Sequence, residues 1–292
     1  MPERRPTIRE RRLAAELRRL RERSTLNLDQ VIAELQETGE GRWSRPKLSR
    51  IETAVQRVKA VDVQRLCDLY GASPERREEL LALARSARQR GWWDAYADTI
   101  PTDYAAYIEL EAEAKSLRCY DALVVNGLLE TDEYAHEVIR VGLMQFAPPA
   151  EVERRVEVRR TRQAALTARH PEPLRLWSII DEAALRRVIG GRGVMRRQYR
   201  HLLELAENPN VMLQVLPFAA GAHSAPSGTF ALMEFPERHM PDVVYLDGLT
   251  GALYIEDDMQ VHTYSLAFNQ LAMSALGVDE TRSLIAELAK ET

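Results

Sequence analysis

Apolar residues return every three or four positions over residues 8–23. Leu13, Leu17 and Leu20 share one face there, and the spacing predicts a first helix. Ser24-Thr25 breaks the pattern. Asn27 is placed to cap a second helix whose apolar face holds Leu28, Val31, Ile32 and Leu35. Glu37-Thr-Gly-Glu-Gly-Arg42 reads as a turn. A third helix is predicted over 45–52: Ser44 can cap it, Pro46 sits just inside its start, and Leu48 and Ile51 lie three apart on one face. Val61, Val63, Leu66, Cys67 and Tyr70 predict a fourth helix over about 60–70, stopped by Gly71. Ser73-Pro74-Glu75 opens a fifth, running to about Arg90 and ended by Gly91. Short helices in this succession, the second and third joined by a turn, describe a helix-turn-helix unit.

The pattern changes after Gly91-Trp92-Trp93. Helical spacing is predicted over 104–119, 131–144, 149–169, 182–189, 194–207, 258–276 and 279–290. Strands are predicted over 174–180, 211–216, 229–235, 243–247 and 253–256, where β-branched and aromatic residues cluster between Gly, Pro and Asp. Gly248-Leu-Thr-Gly251 suits a hairpin. Clustered strands between helical stretches predict an α+β class: an all-α head, then a larger domain with an antiparallel sheet flanked by helices. The expected domains are residues 1–75, a connecting helix and linker over 76–100, and an α+β domain over 101–292. Trp92 and Trp93 are expected to pack between the domains.

Charge sharpens this division. The chain's net charge is −4. Residues 1–91 carry a net of +7 and residues 92–292 a net of −11, a basic head on an acidic body. The third helix concentrates the chemistry. With Leu48 and Ile51 facing a core, Arg45, Lys47, Ser49 and Arg50 are left to point outward, a donor set suited to base edges in the major groove of double-stranded DNA. Ser44 belongs to the same surface. Arg57 and Lys59, in the following loop, are expected to hold the phosphate backbone, and Asn27 to offer a phosphate contact where the second helix begins. Nine arginines among the first 23 residues serve either as an arm on DNA or as a solvated face. Single heads of this kind grip few base pairs, so a homodimer is expected, through the 75–90 helix or the larger domain.

Other chemistries find little footing. His223-Ser224 has no Gly-x-Ser-x-Gly elbow around it. Glu256-Asp257-Asp258 lacks the alternate spacing of a calcium loop and fits better as negative charge at a helix start. His136, His201, His223 and His262 are scattered. No phosphate-binding glycine loop or zinc pattern occurs. The chain is therefore expected not to be an enzyme and to need no cofactor or metal. Cys67 and Cys119 lie far apart and are expected as free buried thiols. The chain has no run of about 18 apolar residues and no apolar leader at its N-terminus, which fits a cytoplasmic protein.

Two resemblances add to this reading. Leu13-Ala-Ala-Glu-Leu-Arg-Arg-Leu20, the Leu26-to-Val31 segment, Trp43-Ser-Arg-Pro-Lys-Leu-Ser-Arg-Ile-Glu52 and Val63-to-Gly71 resemble the Cro/repressor-type (XRE) helix-turn-helix of bacterial regulators. The chain departs from that pattern at Leu28, where many members have a phosphate-touching Gln, and in a longer turn containing Gly39 and Gly41. Further on, Tyr107–Ala114, Asn126–Asp132, Asp181–Arg187, Asn210–His223 and Val243–Gly251 resemble the large actinobacterial domain found behind such heads in WhiJ-like, antitoxin-like transcriptional regulators. That resemblance implies a cytoplasmic, nucleoid-associated transcription factor. It also implies that residues 101–292 form a regulatory domain for a small BldB-like or toxin-like partner protein, commonly encoded next door. A small-molecule-sensing pocket between sheet and helices is the alternative role for the domain.

Overall fold

The leucines of the first helix meet in a shared core. In the computed structural model, which describes residues 8–37, 42–87, 91–96, 98–144, 146–168, 172–236 and 241–292, five helices build the first unit: α1 (Ile8–Arg23), α2 (Leu28–Glu37), α3 (Arg45–Glu52), α4 (Ala60–Leu69) and α5 (Pro74–Ser86). Leu13 and Leu17 of α1 pack with Val31 and Leu35 of α2, Leu48 and Ile51 of α3, Val63, Leu66 and Cys67 of α4, and Leu80, Leu83 and Ala84 of α5. The helix expected as a connector thus contributes to the head's own core, and the first unit extends from Met1 to Trp92. α5 spans Pro74–Ser86 with Ala87 at its cap; the expected end near Arg90 falls on residues 88–90, outside the described residues. The expected turn at 37–42 falls mostly on residues 38–41, outside the described residues.

The second unit, Trp93–Thr292, is α+β as its pattern predicts. After α6 (Thr102–Glu113) comes β1 (Ser116–Asp121). Then follow α7 (Asp132–Gly142), α8 (Pro149–Gln163), β2 (Arg175–Asp181), α9 (Glu182–Arg186), α10 (Arg192–Leu205) and β3 (Val211–Leu216). β4 (Phe230–Glu234), β5 (Val243–Gly248), β6 (Gly251–Ile255), α11 (Asp258–Ser274) and α12 (Val278–Glu291) complete it. The sheet order is β3-β2-β1-β4-β5-β6.

Two expectations are corrected. The predicted helix over 104–119 stops at Glu113, where Ala114 turns extended, and the following residues form the strand β1. The sheet is mixed rather than antiparallel throughout. β1, β2 and β3 run parallel, while β1–β4, β4–β5 and β5–β6 are antiparallel pairs. Parallel neighbours need long crossovers, and α7–α8 and α9–α10 supply them. β5 and β6 form the predicted hairpin, with Gly248 opposite Gly251.

Each face of the sheet is covered. α11 lies on one face, where Phe268 and Leu271 pack with Tyr120, Ile179, Phe230, Leu232 and Val244. α6 approaches the other, with the Tyr107 ring 4.5 Å from that of Tyr245. A buried ion pair locks α6 to α8: Arg162 Nε and Nη2 donate to the two carboxylate oxygens of Glu111 at 2.8 and 2.6 Å. The side chains are 4% and 3% exposed. The guanidinium also lies over the rings of Tyr104 and Tyr107. Both cysteines are free and buried; burial pushes the Cys67 thiol up to about 11 and raises that of Cys119 as well. Among the described residues no helix is long and apolar enough to cross a membrane.

Removing one partner of a buried ion pair leaves the other uncompensated in a low-dielectric interior. Glu111→Ala should therefore destabilise the second unit by about 3–5 kcal/mol. Urea unfolding followed by tryptophan fluorescence, with Trp177 reporting on this unit, measures the loss.

Candidate nucleic-acid interface

α3 is positioned from both ends. At its start, Ser44 is extended and its hydroxyl accepts from Lys47 N–H at 3.4 Å, with Pro46 in the first turn. Trp43 and Leu48 flank the cap at the positions of a hydrophobic staple, and both belong to the head's core. Gln36 Nε2 donates to the Trp43 carbonyl at 3.2 Å, which ties the entry of α3 to the end of α2. At the other end, Arg21 of α1 makes a two-pronged contact with Glu52: Nε and Nη2 donate at 2.7 and 2.8 Å. Arg21 also donates to the Leu26 carbonyl at 3.0 Å, so one guanidinium joins α1, the approach to α2 and the end of α3. The Glu52 hydrogen bond holds this guanidinium above its ordinary pKa. Beyond α3 the chain turns through Ala54, which takes a left-handed φ of 57°.

The candidate DNA contacts divide into distinct groups. Arg45 and Arg50 are exposed on α3. Arg45 reaches Asp29 of α2 at 3.2 Å across open surface, and Arg50 Nε donates to Gln56 at 3.2 Å. Ser49 is half-buried, and its carbonyl accepts from Thr53 Oγ1 at 2.8 Å. Lys47 differs from the outward expectation. Its ammonium sits 3.8 Å from the centre of the Trp43 ring and 3.2 Å from Asp62 of α4. The side chain is 20% exposed. Trp43 offers its ring face and Asp62 its charge, and together they draw the lysine back along the helix.

Arg57 and Lys59 lie exposed after α3. Arg57 Nε donates to Glu10 of α1 at 2.6 Å, while Lys59 stands at the N-cap of α4 with no side-chain cap bond. Asn27 is exposed and forms a reciprocal cap with Gln30. Its Oδ1 accepts from Gln30 N–H and its own N–H donates to Gln30 Oε1, both at 2.9 Å. Leu28, the departure from the repressor pattern, packs against the core. Sequence reading passed over Gln30, Gln56, Asp29 and Asp62. The Asn-x-x-Gln spacing of a capping box was available for Gln30. Asp62 is fifteen residues from Lys47, and no local spacing signals that pair.

The other polar motifs have structural partners. Ser224 Oγ donates to the Ala267 carbonyl at 2.7 Å, and the ring of His223 stands edge-on to Tyr120. Asp257 caps α11 and accepts from Gln260 N–H at 3.1 Å. Among the described residues no group of three His, Cys, Asp or Glu side chains converges for a metal ion.

Residues 12–80 match the family model of a helix-turn-helix domain, which supports a DNA-binding transcriptional regulator. Residues 104–287 match the family described as a domain of unknown function, DUF5753, and the chain belongs to that family. No curated protein and no solved structure matches the chain.

Arg21→Leu leaves the Glu52 carboxylate, 6% exposed, without its partner. Such a loss should cost the head about 1.5–3 kcal/mol. The thermal midpoint of the isolated head transition should fall, with no change expected in the second unit.

Proposed function

We propose that this member of the DUF5753 family is a sequence-specific transcriptional regulator of the XRE type that reads DNA through α3. The observation that carries this reading is the support of α3 described above. An eight-residue helix with Arg45 and Arg50 exposed is held at both ends by a capped start and the Arg21–Glu52 contact. Such a helix can enter a major groove without losing order. Arg45 and Arg50 read bases, with Ser49 beside them. Lys59 and Arg57 take phosphates, and the exposed start of α2 at Asn27 takes another. Arg45 exchanges Asp29 for a base edge, and Arg57 exchanges Glu10 for a phosphate. Lys47 serves chiefly to brace α3 against Trp43 and Asp62, and Ser44 to cap it.

The chain acts as a homodimer without catalysis, and the second unit controls the heads through a small partner protein, WhiJ-like in manner. An uncharged strip on α11 supports a protein-facing role. Met259, Leu266 and Met273 recur every seven residues, and each is more than half exposed. An antitoxin-like role belongs to the same reading, with the partner as its toxin-like counterpart. Small-molecule control is a second reading, favoured by a cleft in the second unit that combines charged and apolar side chains.

Fluorescence anisotropy on the chain's own promoter and on scrambled DNA tests the reading. Arg45→Ala and Arg50→Ala should each cost about 1–3 kcal/mol on the specific site and relax one position. Lys59→Ala should weaken both DNAs alike and reduce the salt slope by about 1. Equal affinity of wild type for both DNAs would sink it.

The brace gives a separate prediction. Asp62→Asn should release Lys47 and steepen the salt dependence by up to about one phosphate contact. An unchanged slope would show that Lys47 stays on Trp43 without Asp62.

A further inference from the structure

A cleft of about 210 Å³ opens beyond the carboxyl end of β1, within the second unit. β1 has a parallel neighbour on one side and an antiparallel one on the other, so the connections leave its end in different directions. Three segments singled out in the sequence meet here. Tyr107 comes from α6, Asn126, Gly127 and Glu130 from the loop after β1, and Tyr245 and Asp247 from β5. The loop is held rather than loose. Gln198, fully buried, accepts from Thr131 N–H at 2.7 Å and donates to the Leu129 carbonyl at 2.6 Å. Gln163 donates to the carbonyls of Gly127 and Glu130, and Val125 N–H donates to Tyr134.

The charges do not balance. Asp121, Glu130 and Asp247 line the cleft against Arg159 and Arg162. Glu111 already occupies Arg162, and Glu130 Oε2 accepts from Arg159. Asp121 and Asp247 form no ion pair among the described residues. Asp121 accepts from Ser178 Oγ at 2.8 Å and from Asn126 Nδ2 at 3.3 Å, which orients it without supplying an ion-pair partner. A second observation points to a missing occupant. Glu130 is 1% exposed, yet its Oε1 has no hydrogen-bond partner, and neither has Arg159 Nε. Buried polar atoms are rarely left so. A free acceptor on Glu130 and a free donor on Arg159, in a cleft where Asp121 and Asp247 have no ion-pair partner among the described residues, fit a molecule that brings N–H groups and one acceptor. The remaining wall includes the apolar Val124, Val125 and Val138.

We propose that this cleft binds a small organic cation, a protonated amine or amidine on a compact apolar body, with its N–H groups on Glu130 and Asp121. Carboxylates supply the charge and the valines the contact area. Among the described residues no three His, Cys, Asp or Glu side chains converge in this cleft. Gly127 lets the loop lie close against both guanidiniums: a Cβ there would lie 3.3 Å from Arg162 Nη1 and 3.4 Å from Arg159 Nε. The proposal goes beyond the DNA reading and does not depend on it.

The test uses the full chain and no DNA, so either reading can fail alone. Benzamidine and tyramine serve as cationic probes, with benzoate and benzyl alcohol as anionic and neutral counterparts. Saturation-transfer NMR and thermal shift report binding. Both cations should bind saturably at millimolar concentration or below, and benzoate should not. Glu130→Gln should weaken the cations at least tenfold. Val124→Trp, at the exposed rim, should block them while leaving the unliganded melting temperature unchanged, which keeps the test sound if Glu130→Gln folds poorly. No saturable binding of either cation, benzoate binding as well as benzamidine, or full binding by Val124→Trp would each overturn the proposal.

Discussion

An eight-residue helix does not persist alone in water, because the cost of nucleation outweighs the few hydrogen bonds it closes. The head is organised around that constraint. Every feature that would stabilise α3 from within is short, so its stability is supplied by neighbours. Leu48 and Ile51 enter the core, Trp43 staples its start, and Arg21 grips Glu52 at its end. These contacts come from α1, α2, α4 and the loops between them. The orientation of α3 is therefore a property of the whole head. Ala54 completes the arrangement by turning the chain sharply away, at the strain cost of about 1–2 kcal/mol that a left-handed non-glycine residue carries.

The second unit solves a different problem. Its central strand must pair in both senses, and parallel pairing requires crossovers, of which α7 and α8 form the one from β1 to β2. That arrangement brings arginines of α8 to carboxylates of α6 and of the loop after β1. Buried charges are tolerated there because nearly every one has an opposite partner: Arg162 with Glu111, Arg159 with Glu130. Desolvation makes the exceptions visible. Asp121, without an ion-pair partner, is pushed up by burial to about 7, despite the hydrogen bonds from Ser178 and Asn126 that favour its charged form.

Much of the head was legible because its signals are local. Ser44, Pro46 and the Leu48–Ile51 pair fix α3 at 45–52 within a single stretch of chain. The second unit was less legible where the information is distant. Leu110, Ala114 and Leu117 continue a helical spacing into a segment whose strand pairing is decided by β2 and β4, far along the chain. Without β1, the four strands predicted in succession after residue 210 read as an antiparallel set, which hid the parallel half of the sheet. The cleft was partly foreshadowed, since Asn126–Asp132 and Val243–Gly251 stood out as segments. Their meeting beside Arg159 and Arg162 depends on the crossover. Likewise, the basic face of α3 was legible as composition, while the turn of Lys47 toward Asp62 belongs to packing between helices.

The neutralised cations of the head carry a consequence for how such a protein would search a chromosome. Lys47 faces Asp62, Arg57 faces Glu10 and Arg45 faces Asp29, so three of the cations expected on DNA are answered by the head's own carboxylates. A fully exposed basic surface would hold any duplex through counterion release and spend most of its time on irrelevant sequence. Here each carboxylate acts as a competitor that only a well-placed phosphate or base edge displaces. The head gives up indiscriminate grip, and a larger share of its occupancy is left to sites whose geometry fits.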